Sequence, residues 1–423
     1  MGSPALRLCV VVAIAALLPV TGSARQGPKI PLRAGLTIVT ALNEPDKGDY
    51  ESIKTILSAD AKDVRLRYTS DAPAPREEDN PFAAFLGGGQ SKPKATASAD
   101  REVMHVNTVR VVSHQDLKSA RHYQHYFSND SPERYPGSTA VGLSSAIFTE
   151  LKTKGEASFS IQAGGLAGAL GNLLGGLLGG LGADSSKDLD ELTKLSGSLT
   201  RIESSPVPFK VLVNDVPVQL PAIHAKGQFG DLDAEFWVLD DEENPLSLKW
   251  IIGDGNLQVV KLAFPVAEAT TAGTGRGRAA GAGAGSGAGA GGGVGVAPAD
   301  RIEKALEDEG RAVVYGIYFD FASDRIKEES EPVLKEIAEV MTKNPTWNLT
   351  VEGHTDSIGS TDANLDLSQR RAAAVRTALA DRYKIAAARL APAGFGESRP
   401  KDTNDTLEGR ARNRRVELAR IGR

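Results

Sequence analysis

Six histidines and one cysteine are the most reactive side chains in this 423-residue sequence. His122 and His125 stand three apart, so on a helix their imidazoles would share a face and could hold one metal ion. No acidic or cysteine ligand completes that pattern, and both are read as surface histidines with no metal. His354 precedes Thr355 and Asp356, but acid–base work needs a nucleophile or a second titrating group within reach. The sequence has no GxSxG, HExxH or GxxxxGK[ST] motif to supply a nucleophile elbow, a zinc helix or a phosphate loop. His354 is therefore read as a hydrogen-bonded structural residue. The chain reads as a binding protein with no catalytic residues and no cofactor, and not as an enzyme.

A net charge of −5 argues against nucleic acid, which is held by dense Lys and Arg facing phosphate. Residues 1–24 have the pattern of a signal peptide: Arg7, a short apolar run over 8–20, and the small pair Ser23-Ala24. Export to the periplasm or the outer membrane is expected. Cys9 lies inside that segment, so the exported chain would carry no thiol and its folding would rest on packing alone.

The elements that must position any site fall into two parts. Residues 30–265 read mainly as β-structure, with strand-forming runs at 36–40, 64–68, 209–213, 216–220, 236–239, 246–252 and 257–264. Asn214-Asp215 marks a hairpin turn, and residues 114–126 read as a helix between strands. Two insertions interrupt this part: a polar, Pro-containing loop at 72–100 and a Gly/Leu-rich segment at 160–199. Its uncharged portion, 160–183, is long enough to cross a bilayer, but frequent glycine weakens a helix by about 1 kcal/mol per residue relative to alanine. An insertion is favoured over a span. Few strands reach the ten or so residues of a lipid-facing barrel and aromatics are 5% of the chain, so a water-soluble β-rich domain is expected.

Residues 266–300 are almost pure Gly, Ala, Ser and Thr, a flexible linker by composition. Beyond it the expected order is a strand at 313–319, a helix with Val333, Leu334, Ile337, Val340 and Met341 on one stripe, a strand at 347–353, a helix at 364–382, and strands at 389–394 and 415–419. This βαβαββ order predicts an α+β sandwich of two helices on a mixed sheet.

Within residues 311–421, Gly353-His354-Thr355-Asp356, the run from Asn364 to Ala372, Gly394-Phe395-Gly396-Glu397 and Asn413-Arg414-Arg415-Val416-Glu417-Leu418 together resemble the OmpA C-terminal domain. That domain is shared with peptidoglycan-associated lipoprotein and the flagellar stator protein. The resemblance implies non-covalent binding of peptidoglycan, with Asp356 and Arg371 holding the diaminopimelate residue of the stem peptide. The ligand's chemistry agrees: its free ammonium suits a carboxylate, and its carboxylate suits a forked guanidinium. Asn364, Leu367, Phe319 and Arg415 are carried over as further contacts. Similar domains have aspartate after Phe-x-Phe, whereas this chain has Ala322 after Phe319-Asp320-Phe321. The implied role is to tether the β-rich domain to the wall and stabilise the envelope. The alternative is an adhesin or assembly module whose β-rich domain does the main work, through an outer-membrane or other envelope partner, while the C-terminal domain only anchors it.

Overall fold

The computed structural model describes residues 28–45, 47–74, 102–162, 194–265 and 298–422. The expected signal peptide, most of the 72–100 loop, most of the uncharged Gly/Leu run and most of the linker lie outside these residues.

The β-rich unit contains β1 (Thr37–Glu44), β2 (Gly48–Ala59), β3 (Asp63–Pro73), β4 (Val103–Ser113), β5 (His122–Tyr123), β6 (Ser138–Thr139), β7 (Glu156–Gln162), β8 (Lys194–Arg201), β9 (Val207–Val213), β10 (Val216–Phe229), β11 (Leu232–Leu239), β12 (Ser247–Ile252) and β13 (Gly255–Ala263). They form one sheet in the order β4-β3-β2-β1-β13-β12-β11-β10-β8-β7-β5-β6, and β9 pairs with both β10 and β13. The pairings from β9 to β13 thus form a closed circuit. Asn214 and Asp215 sit at φ +48° and +63° between β9 and β10. Both central residues of a type I′ turn need positive φ, and the twist of that turn suits the strands it joins.

Two readings of the β-rich unit differ from expectation. The Gly/Leu insertion is narrower than 160–199, because β7 runs to Gln162 and pairs with β8 from Lys194 onward. The helix expected at 114–126 is only α1 (His114–Ser119), capped by the Ser113 side chain. Its second half is drawn into the sheet, where His122 and Tyr123 pair with both β6 and β7. A second helix, α2 (Ser145–Thr153), buries Ile147, Phe148 and Leu151.

The C-terminal unit has α3 (Pro298–Asp308), β14 (Arg311–Val314), α4 (Glu331–Lys343), β15 (Leu349–Gly353), α5 (Thr361–Tyr383), β16 (Leu390–Gly394), α6 (Leu407–Asn413) and β17 (Val416–Arg420). Its mixed sheet runs β14-β17-β15-β16, with only β15 and β16 parallel. The predicted stripe of α4 is buried, in one core with Val375 and Leu379 of α5. Helix α3 begins inside the stretch read as linker, and its Ile302 and Leu306 enter the same core one turn apart. The first strand stops at Val314 and not at Phe319, which makes an isolated bridge with Ile326.

Two glycines set the position of α5. A Cβ on Gly353 would stand 2.2 Å from the Ser368 carbonyl oxygen, and one on Gly394 would stand 2.5 Å from the Gln369 nitrogen. Only glycine lets the start of α5 lie this close to β15 and β16. Ser360 caps the helix through the Ala363 N–H.

The two units meet along a seam. Val39, Ala41, Ile53 and Val260 of the β-rich unit share a buried cluster with Tyr318 and Leu407 of the C-terminal unit. Polar contacts flank it: Arg410 Nε to Asp49 Oδ2 at 2.6 Å, Arg67 Nη1 to Glu328 Oε2 at 3.0 Å, Thr69 Oγ1 to Glu329 Oε1 at 2.8 Å, and the pairs Lys327–Asp71 and Arg414–Glu51.

Candidate functional site

Past Gly353 the chain turns through His354, Thr355 and Asp356. The turn is pinned from three sides: His354 N–H to Arg415 O, Thr355 N–H to Gly396 O, and Phe395 N–H to Gly353 O, each at 3.0 Å. Asp356 is 7% exposed. Its Oδ1 accepts the Ile358 N–H at 3.0 Å, and its Oδ2 accepts from Arg414 Nη1 at 2.5 Å.

Arg371 follows Leu367 by one turn of α5 and is half-buried. Its Nε donates to the Ser323 carbonyl at 2.9 Å, and its guanidinium carbon lies 4.8 Å from the centre of the Phe319 ring. Burial, and then the like charge of Arg414, lower its pKa to about 10 against the opposing pull of Asp356 and Glu51, so it stays charged at neutral pH.

Asp356, Asn364, Leu367, Phe319 and Arg371 all line one cleft of about 430 Å³. Asn364 acts as a brace: its Nδ2 donates to the Asp356 carbonyl at 3.2 Å and to Glu397 Oε2 at 2.7 Å. Arg415 does not line this cleft. It is buried against Glu417, Asn413 and Arg399, while its neighbour Arg414 enters the cleft. Arg414 ends α6 and Arg415 leads into β17, and the chain's change of direction between them sends the two side chains to different places.

Sequence reasoning missed two residues here, Arg414 and Glu51. Arg414 bonds Asp356 on one side and Glu51 of β2 on the other. Burial disfavours its charge, but Glu51 and Asp356 more than offset that and hold its pKa above the ordinary arginine value. The doublet marked Arg414 as a candidate, whereas nothing local marked Glu51. The other cations lining the cleft also have partners: Lys47 with Glu44, Lys327 with Asp71 and Asp320, and Arg370 with Asp366 and Asp324. Arg371 has no carboxylate partner among the described residues.

One group of metal-ligating side chains occurs among the described residues. Single ligand atoms of Glu352, His354 and Glu417 lie within 4.8 Å of one another. The donor set is poorly suited to a cation, because Arg311 bonds both carboxylates and Arg415 takes the other oxygen of Glu417. Burial, and then Arg415, lower the His354 pKa to about 4, so this imidazole is neutral at pH 7. His122 and His125 are not surface residues, at 9% and 4% exposed, and they do not share a helix face. Burial lowers the His122 pKa to about 4 and holds His125 well below the ordinary value.

The chain matches the OmpA family over residues 318–414. It is 48% identical over 101 residues to outer membrane porin F of Pseudomonas aeruginosa, which covers 24% of this chain and 29% of that protein. It is 33% identical over 124 residues to motility protein B of Bacillus subtilis, covering 28% of this chain and 48% of that one. Among solved structures it is similar to the peptidoglycan-associated lipoprotein from Burkholderia pseudomallei, at 30% identity over 25% of this chain and 87% of that one, with a TM-score of 0.23. The chain spans less than a third of the length of the curated relatives it matches first. The C-terminal unit of this chain, over residues 318–414, therefore belongs to the OmpA family.

Proposed function

We propose that this chain is a non-enzymatic envelope protein whose C-terminal unit grips peptidoglycan and so tethers the β-rich unit to the cell wall. The cleft takes the zwitterionic end of a diaminopimelate side chain, the ammonium beside Asp356 and the carboxylate on Arg371. The observation that carries this reading is the pairing pattern among the described residues: every other lysine or arginine of the cleft has a carboxylate partner, while no described group hydrogen-bonds the Nη groups of Arg371. A half-buried guanidinium with free forked donors is a receptor for a carboxylate. The OmpA-family match over residues 318–414 supports attachment to the cell wall, and relatives named as outer-membrane proteins support an envelope location.

Two charge-assisted contacts contribute roughly 3–6 kcal/mol before ordering and desolvation are subtracted, so one site binds modestly and firm attachment needs many copies on a multivalent wall. The test is co-sedimentation of the full chain with diaminopimelate-type sacculi, beside Asp356→Ala and Arg371→Ala. Wild-type protein is expected to sediment and both variants to remain largely in solution. Equal sedimentation of all three contradicts the site.

A further inference from the structure

The cleft is not built by the OmpA-family domain alone. Lys47, Asp49, Tyr50, Glu51 and Ile53 of the β-rich unit line it together with Asp356 and Arg371. Along its rim, three carboxylates of the β-rich unit meet three cations of the C-terminal unit: Asp49 with Arg410, Glu51 with Arg414, and Asp71 with Lys327. These carboxylates offer the arginines and lysine the same chemistry that an acidic stem peptide would offer. Glu51 does so within the cleft, on the very guanidinium that holds Asp356.

A cleft of about 430 Å³ lies low in the range of roughly 300–1,000 Å³ that encloses one small ligand. It has room for the end of a side chain but not for the polymer that presents it. We infer that the docked β-rich unit is an autoinhibitory cover, with Asp49, Glu51 and Asp71 standing in for the wall's carboxylates, and that this seam parts when the wall is engaged. The inference rests on the reading of the cleft as the wall site. Among the described residues the buried apolar cluster of the seam has six side chains, with Ala411 packed against it and Phe321 packed against the core of the β-rich unit, and units joined by modest interfaces move relative to each other by default. A site competent in only a fraction of molecules binds more weakly by that fraction, so releasing the cover strengthens binding.

The full chain is tested with diaminopimelate-type sacculi in four forms: wild type, Asp49→Lys, Asp71→Lys, and Asp49→Lys combined with Arg410→Asp. Amide hydrogen exchange over α6 reports whether the seam is open. Each single variant is expected to speed exchange over α6 and to raise sedimentation several-fold. The double variant restores an opposite-charge pair and is expected to return both readouts toward wild type. Faster exchange with unchanged or lower sedimentation overturns the cover and leaves the wall site standing. Unchanged exchange in both single variants overturns the claim that these contacts hold the seam. Absence of sedimentation in all four forms removes the wall-binding reading itself, and the cover with it.

Discussion

Glu51 and Asp356, far apart in the chain, share a single guanidinium, that of Arg414. The relation joins a strand of the β-rich unit to the carboxylate at the floor of the cleft. It fixes the Asp356 side chain before any ligand arrives, with one oxygen on a backbone amide and the other on Arg414.

Arg414→Met leaves those two carboxylates facing each other without their cation. Breaking a buried pair costs about 3–5 kcal/mol, and partial exposure here reduces that to about 2 kcal/mol. Urea unfolding at pH 7 should show this loss. The deficit should shrink as the pH falls and the freed carboxylates take up protons, and a deficit that does not vary with pH contradicts the electrostatic account.

Gly353→Ala forces α5 away from the sheet, because the new Cβ meets the Ser368 carbonyl. Overpacking of this kind costs about 1–3 kcal/mol. Because Arg371 rides on the same helix, retention on sacculi should fall along with the unfolding midpoint. Unchanged retention in a folded variant would show that the helix position does not set the site.

Asn364→Ala removes the brace between the Asp356 carbonyl and Glu397. A lost buried hydrogen bond that leaves its partner unpaired costs about 1–3 kcal/mol. Thermal unfolding should report it, with wall retention reduced less than by Asp356→Ala. A loss of retention as large as that of Asp356→Ala, in a variant of native stability, would instead make Asn364 a direct contact.

What could be read in the sequence was what neighbouring residues decide among themselves. Asn214-Asp215 announced its hairpin because both residues tolerate positive φ, and the apolar stripe of α4 announced a helix with one buried face. The motifs around Asp356 and Arg371 singled out both residues, and the fold sets them in one cleft. Residues 114–126 failed halfway, because Ser113 caps a helix locally while β6 and β7 claim His122 and Tyr123 from a distance. Helix α3 hid at the end of a Gly/Ala tract, although Ile302 and Leu306 carry helical spacing. Glu51 could not be read at all, since its role exists only once Arg414 is brought beside it.

His354 makes the C-terminal unit sensitive to acid. Its folded pKa, about 4, lies below the ordinary value of 6.5 because burial and Arg415 disfavour the charged ring. The unfolded chain therefore binds the extra proton first, so stability is full above pH 6.5 and declines as pH falls toward 4, by at most about 3 kcal/mol. In urea titrations, His354→Gln should flatten that part of the pH profile. A profile identical to wild type would place the acid sensitivity elsewhere, with the buried His122 and His125 as the next groups to replace.

The role of Arg371 as a carboxylate receptor is tested most directly by titrating the full chain with two soluble muropeptides that differ only in the diaminopimelate carboxylate, free in one and amidated in the other. Amidation should weaken binding about tenfold or more, equivalent to about 1.4 kcal/mol, and Arg371→Ala should abolish the difference. Equal affinity for the two muropeptides would contradict the assignment.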